Sequence, residues 1–117
     1  MNHNQTIGKW GETAAEEYLR AKGYTILGNN IRTPYGEIDI IASIEGSVVF
    51  VEVKARTSRT FGLPEEGLTY RKLSHMRASA EYYAASHGIG TWQCDAIAVE
   101  RIRDTTPQIE HFENVTR

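Results

Sequence analysis

Between residues 6 and 22, apolar and small side chains recur at three- and four-residue spacing: Ile7, Gly11, Ala14, Ala15, Tyr18 and Leu19. That spacing predicts an amphipathic helix. Thr6 is its expected N-cap and Gly23 its stop. An extended segment then runs from Tyr24 toward Arg32, punctuated by Asn29-Asn30 and Pro34-Tyr35-Gly36. Residues 37–43 and 47–56 read as two further strands. The second of these is apolar on both faces through Val48, Val49, Phe50, Val51 and Val53, the pattern of a central strand covered on both sides. Only Glu52 and Lys54 interrupt it, on one face near its end. Residues 57–66 read as a loop broken by Gly62 and Pro64. Residues 68–87 form the longest predicted helix, with Leu68, Leu73, Met76, Ala80, Tyr83 and Ala84 as its apolar stripe, ended by Gly88 and Gly90. Residues 91–100 alternate as a strand, and residues 109–115 suggest a last edge strand after Pro107. The order α-β-β-β-α-β-β predicts one α/β domain spanning residues 1–117, a mixed sheet flanked by helices.

The hairpin carries the chemistry. With the turn centred on Glu45-Gly46, Asp39 and Glu52 lie equally far from it and face each other. Directly opposed side chains are roughly 4.5–5.5 Å apart at Cβ, and like charges there destabilise a sheet. A divalent cation between the two carboxylates removes the conflict, and Lys54 falls two residues on, on the same face. Magnesium (or manganese) takes oxygen ligands and keeps several waters, so Asp39 and Glu52 are the expected ligands, with the Val53 carbonyl as a third. The Lys54 ammonium would orient the attacking water or neutralise the phosphate. This is a phosphodiester-cleaving site in outline. A plainer reading uses the same register: Lys54 opposite Glu37, as in an exposed salt-bridged hairpin. The apolar character of the strand weighs against it. The register depends on the turn, because Glu-Gly is not the favoured Asn-Gly pair and a bulge would carry Asp39 to the other face. Glu12 borders the apolar stripe of the first helix. It either reaches the sheet edge or belongs to a surface group with Glu16 and Glu17.

Charge adds a second clue. The net charge is −2 over 117 residues, which by itself argues against a strongly basic nucleic-acid binder. The distribution is uneven: residues 54–77 hold 6 Lys/Arg against 2 Asp/Glu, whereas residues 1–53 hold 4 against 7. Lys54, Arg56, Arg59, Arg71, Lys72 and Arg77, with His75, form a basic island. It reads as a phosphate-contact surface or as a solvated helix face. One cysteine, Cys94, excludes an internal disulfide and points to a reducing compartment. Residues 1–6 lack the apolar core of a signal peptide, and no apolar run approaches the ~20 residues of a bilayer span. A cytoplasmic location is therefore expected, with no membrane partner. The histidines show no metal-ligand spacing, and no Gly-rich loop supports nucleoside triphosphate use. Cys94 reads as core, and Asp95 as a polar residue at strand entry.

Asp39 followed by Glu52-Val53-Lys54 resembles the PD-(D/E)xK nuclease pattern, with Ile38-Asp39 in place of Pro-Asp. Over residues 8–100 the chain also resembles the YraN-like family of uncharacterised bacterial proteins. The matching pieces include Gly11-Glu12, Asn30-Ile31-Arg32, Gly36-Glu37-Ile38-Asp39, Val49-Phe50-Val51-Glu52-Val53-Lys54-Ala55-Arg56 and Lys72. That family is similar in fold to archaeal Holliday-junction resolvases and other restriction-endonuclease-like enzymes. The resemblance implies a Mg²⁺- or Mn²⁺-dependent deoxyribonuclease acting on branched or damaged DNA. Glu12, Asp39, Glu52 and Lys54 would be its catalytic residues, with Asp39, Glu52 and Glu12 at the metal. Arg32 and Arg56 match family positions near the site, and Arg59, Arg71 and Lys72 would join them in gripping nucleic acid. Pairing into a homodimer is implied too, because cutting two strands takes two sites. One departure stands out: the family's Arg-Phe-Asp on the late strand is Gln93-Cys94-Asp95 here. The rival reading is a non-catalytic nucleic-acid-binding or protein-interaction module on the same fold.

Overall fold

A computed structural model describes residues 3–57, 69–101 and 106–116. The chain runs α1 (His3–Ala21), β1 (Thr25–Thr33), β2 (Gly36–Ile44), β3 (Ser47–Arg56), α2 (Tyr70–Ser86), β4 (Trp92–Glu100) and β5 (Gln108–Phe112). The strands form one five-stranded sheet in the order β1-β2-β3-β4-β5. All neighbours are antiparallel except β3 and β4, which run parallel. Parallel neighbours need a crossover, and α2 provides it. The expected α/β arrangement is therefore the one observed, with β3 at the sheet centre. No helix among the described residues is long and apolar enough to cross a membrane.

Alternation along the strands splits the apolar residues between two cores. Val49 and Val51 of β3 join Ile40, Ala42, Ile97 and Val99 beneath Ala15 and Leu19 of α1. Phe50 turns the other way and packs with Ile41, Cys94, Ala80 and Ala84 on the α2 side. Cys94 is fully buried, as its sequence context implies. The even positions of β3 thus face α2, and these include Glu52 and Lys54.

Two local expectations change and a third holds. The first helix already begins at His3, so Thr6 lies within it rather than capping it. His3, Asn4 and Gln5 include no proline or glycine to stop the helix from extending backward. The last strand ends at Phe112 rather than Val115. Asn114 adopts a left-handed φ of 53°, and its N–H donates to Asp95 Oδ1 at 2.9 Å, drawing the chain off the ladder. The hairpin turn is the expected one, centred on Glu45-Gly46. Ile44 pairs with Ser47, and Glu45 and Gly46 both take positive φ, 50° and 82°. Two positive φ values define a type I′ turn, whose twist suits a two-residue hairpin. The register is therefore held without a bulge. The loop expected over residues 57–66 falls, beyond Thr57, outside the described residues, and Arg59 and Leu68 lie outside them as well.

Gly11 sets the approach of α1 to β3. A Cβ there would overlap the Cβ of Ala55. Alanine gains about 1 kcal/mol over glycine in helix propensity, but overpacking a tight contact costs roughly 1–3 kcal/mol. Gly11→Ala is expected to lower stability by on the order of 1 kcal/mol in urea unfolding. It also displaces the neighbouring Glu12.

Candidate functional site

The β2–β3 ladder is paired from Ile44/Ser47 down to Ile40/Val51. Beyond that pair the strands separate, and β3 continues alongside β4 as far as Arg56/Glu100. The separation leaves the Val53 N–H facing a vacated edge. Asp39 occupies it: its Oδ2 accepts from Val53 N at 2.8 Å. A buried N–H without a partner is costly, so this bond fixes the carboxylate and explains why an aspartate stands there. Asp39 and Glu52 are not paired across the ladder, but both line one pocket beside Lys72 and His75 of α2.

Asp39 lies where it feels a charge from one helix and shares a pocket with the other. Glu12 comes from α1 and Lys72 from α2. Asp39 is pushed up to about 7, first by burial, then by the charges of Glu12, Glu52 and Glu37, with the Val53 N–H opposing. Glu12 is itself raised, mainly by burial, with Glu37 and Glu16 adding to it and a side-chain hydrogen bond from Asn30 opposing. Four carboxylates therefore crowd one end of the sheet. Sequence reasoning missed two of the parts that hold this cluster. Asn30 adopts a left-handed φ of 51° within β1, a conformation asparagine tolerates better than most residues, and this places its amide on Glu12. The Asn29-Asn30 pair was a usable signal. Glu37 pairs across the sheet with Arg32 of β1 rather than with Lys54, so the salt-bridged hairpin reading does not describe this end of the molecule.

The cations are grouped just as closely. The Lys54 ammonium lies within hydrogen-bonding reach of Lys72, and its pKa is lowered, first by the Lys72 charge, then by burial; Glu52 opposes and Arg56 adds to the lowering. Lys72 sits in the first turn of α2, where Thr69 caps the helix by accepting its N–H at 3.3 Å. Lys72 also lines a pocket of about 210 Å³ together with Glu37, Asp39, Glu52 and His75. Arg32 stands exposed at the rim, opposite Glu37. Arg56 is half-buried at the end of β3. Arg71 is exposed and, one position before Lys72, points about 100° away around the helix. Arg59 lies outside the described residues. Among the described residues, no three His, Cys, Asp or Glu side chains are gathered into a metal cage.

A second polar cluster, unforeseen in the sequence, lies on the α1 face. Asp95 is fully buried rather than a strand-entry residue. Its Oδ2 meets His111 Nε2 at 2.7 Å, and its Oδ1 accepts from Gln93 Nε2 at 2.8 Å and Asn114 N at 2.9 Å. Gln93, which stands in for the arginine of the resembling family, thus supplies a donor to this aspartate. The cluster ties β5 and the residues after it to β4. A buried donor left without its acceptor costs about 1–3 kcal/mol, and Asp95 serves two or three of them. Asp95→Ala is expected to lose stability on that order by chemical denaturation, and to expose Val115 and the β5 amides to rapid hydrogen exchange.

Comparison with known proteins places these features in a family. A UPF0102 protein of Alkaliphilus oremlandii is 44% identical over 115 residues, covering 95% of this chain and 97% of its own. One from Syntrophotalea carbinolica is 40% identical over 109 residues, covering 92% and 88%. One from Syntrophomonas wolfei is 47% identical over 83 residues, covering 71% and 72%. Residues 11–99, which run from the glycine beside Glu12 through β4, match the profile of the uncharacterised protein family UPF0102, and the chain belongs to that family.

Proposed function

We propose that this protein is a metal-dependent endonuclease that hydrolyses phosphodiester bonds of DNA. The observation that carries the reading is the meeting of two unbalanced charge clusters at Glu52. The Asp39 carboxyl is pushed up to about 7 by burial and neighbouring carboxylates, Glu52 among them, and the Lys54 ammonium, which also feels Glu52, is lowered by Lys72. Crowded carboxylates call for a cation, and two adjoining ammonium groups call for an anion. A divalent metal and a phosphodiester satisfy both at once.

The donor set suits Mg²⁺ or Mn²⁺. Magnesium is typically held by one or two carboxylates with several waters retained, so it needs no closed cage of protein ligands. Asp39 Oδ2 is engaged by Val53, which leaves Oδ1 for the metal, next to Glu52. The Val53 carbonyl leaves the strand on the same edge as its N–H and is the third donor. Glu12, tethered to Asn30, holds a water or tunes the charge of the cluster. When bound, the metal supplies Lewis acidity and a nucleophilic water at neutral pH. Lys54 and Lys72 grip the phosphate and offset the charge that builds on it, and Arg32 and Arg56 extend that grip along the backbone. The resemblance of Asp39, Glu52 and Lys54 to the PD-(D/E)xK pattern supports the same reading.

The test is cleavage of forked and four-way junction DNA by the purified protein with Mg²⁺, with Mn²⁺ and with EDTA. Turnover is expected with either metal, none with EDTA, and none with Asp39→Ala. Equal turnover by Asp39→Ala would move the activity to another site or to a contaminant. DNA binding unaffected by metal, without turnover on any substrate, would favour a non-catalytic binding module.

A further inference from the structure

Part of the pocket wall has no role in that chemistry. Tyr35 and Tyr82 are 56% and 45% exposed, with ring centroids 6.2 Å apart at 64°. Tyr35 lines the same pocket as Asp39, Glu52 and Lys72. It is held firmly for a turn residue. Its N–H donates to Thr33 Oγ1 at 3.1 Å, and that hydroxyl also hydrogen-bonds Gly36 O at 2.7 Å and Ser79 Oγ at 3.1 Å. Thr33 and Ser79 are buried, so the turn is bolted to α2 and the ring is presented rather than left loose.

The helix sets the spacing. Lys72, Ser79 and Tyr82 recur at helical intervals, and ten residues of helix span about 15 Å. One face of α2 thus runs from a phosphate-gripping lysine to an aromatic ring, with Tyr35 beside it. Phosphate contacts carry no information about strandedness, whereas aromatic faces do. Within a duplex each base is covered above and below, and only an unpaired base can lay its face on a side chain.

Building on the nuclease reading, we propose that Tyr35 and Tyr82 form a stacking ledge for an unpaired base adjoining the phosphate held by Lys54 and Lys72. The substrate class is then DNA with a single-stranded segment at the point of cleavage, such as a flap or fork, rather than continuous duplex. The ledge takes any base, since every base has a π face.

Binding is measured in the Asp39→Asn background, where turnover does not interfere, by fluorescence anisotropy. The probes are a labelled fork, the matching single strand and the fully paired duplex. Adding Tyr35→Ala and Tyr82→Ala is expected to weaken binding of the fork and single strand by about 5- to 100-fold, and binding of the duplex by under about twofold. Tyr35→Trp should retain the affinity, which separates loss of a ring from loss of the turn. Equal weakening on all three probes, or none, overturns the ledge. The nuclease reading fails independently, if the wild type shows no metal-dependent cleavage whatever these affinities are.

Discussion

Asp39→Asn is expected to slow metal-dependent cleavage by roughly 10²–10³-fold or more, and yet to make the metal-free protein harder to unfold at pH 8. The two effects share one cause. The Asp39 carboxyl is raised from 3.8 to about 7 by burial and by Glu12, Glu52 and Glu37. A proton is therefore bound more tightly in the folded chain than in the unfolded one. The stability this confers is fully present below pH 3.8 and is lost as pH rises through about 7. At pH 8 the folded wild type carries an ionised carboxylate that its surroundings oppose. Asparagine keeps an oxygen for the Val53 N–H and carries no charge. A tenfold difference in proton affinity corresponds to about 1.4 kcal/mol, so the advantage of the variant, already present at pH 5 because that lies above 3.8, should grow by on the order of 1–3 kcal/mol by pH 8. Urea unfolding in EDTA at both pH values measures this. Mg²⁺ should then raise the stability of the wild type with concentration, as any ligand of the native state does, and raise that of the variant much less. A wild type whose stability is flat between pH 5 and 8 would show that the carboxylates do not crowd Asp39.

Much of this geometry can be read from the chain because a hairpin constrains itself. Once Glu45-Gly46 is taken as the turn, the period-two alternation places Asp39, Glu52 and Lys54 on one face, and the structure keeps that register as far as Ile40 and Val51, one pair short of Asp39 and Glu52. The apolar run from Val48 to Val53 likewise identifies the central strand, since only a strand covered by two helices can carry it. What stays hidden is where strands part. Nothing in the residues says that β2 and β3 separate below Ile40 and Val51, or that Asp39 then caps the backbone of its neighbour. Below it Glu37 keeps only its β1 partner, Arg32, and Lys72 of α2 meets Lys54, a contact between residues 18 positions apart that no local pattern encodes. Glu12 is legible only as a boundary residue of its helix. Its role depends on Gly11 lying against Ala55 and on the left-handed Asn30, both of which are tertiary facts. The Asp95–His111 pair is hidden for the same reason. Each residue taken singly has the commonplace reading of a polar group in or near a strand, and only the β4–β5 pairing joins them.

Lys54 and Lys72 give the sharpest division of roles. Lys54→Ala is expected to reduce cleavage by roughly 10²–10³-fold, the loss typical of removing one group that stabilises transition-state charge. Lys72→Ala should cost less, because Lys54 and not Lys72 stands at the lysine position of the resembling PD-(D/E)xK pattern. Its effect on the pH profile is the more telling result. The Lys72 charge is the largest cause lowering the Lys54 pKa, ahead of burial. Removing that charge lets the Lys54 pKa rise. If Lys54 acts as an ammonium, cleavage declines at high pH as it loses its proton, and in Lys72→Ala that decline moves to higher pH. If Lys54 were instead a general base, the needed species would be the neutral amine, and the same substitution would move the acidic limb upward and depress the rate at neutral pH. The ammonium role is the expected one, because Glu52 beside it favours the charged form and metal-bound water at neutral pH has no need of a lysine base. Rates for both proteins across pH 6–10 at saturating Mg²⁺ distinguish the two limbs. A profile that does not move at all would show that the two lysines do not sense each other, and would remove the charge pair on which the phosphate assignment stands.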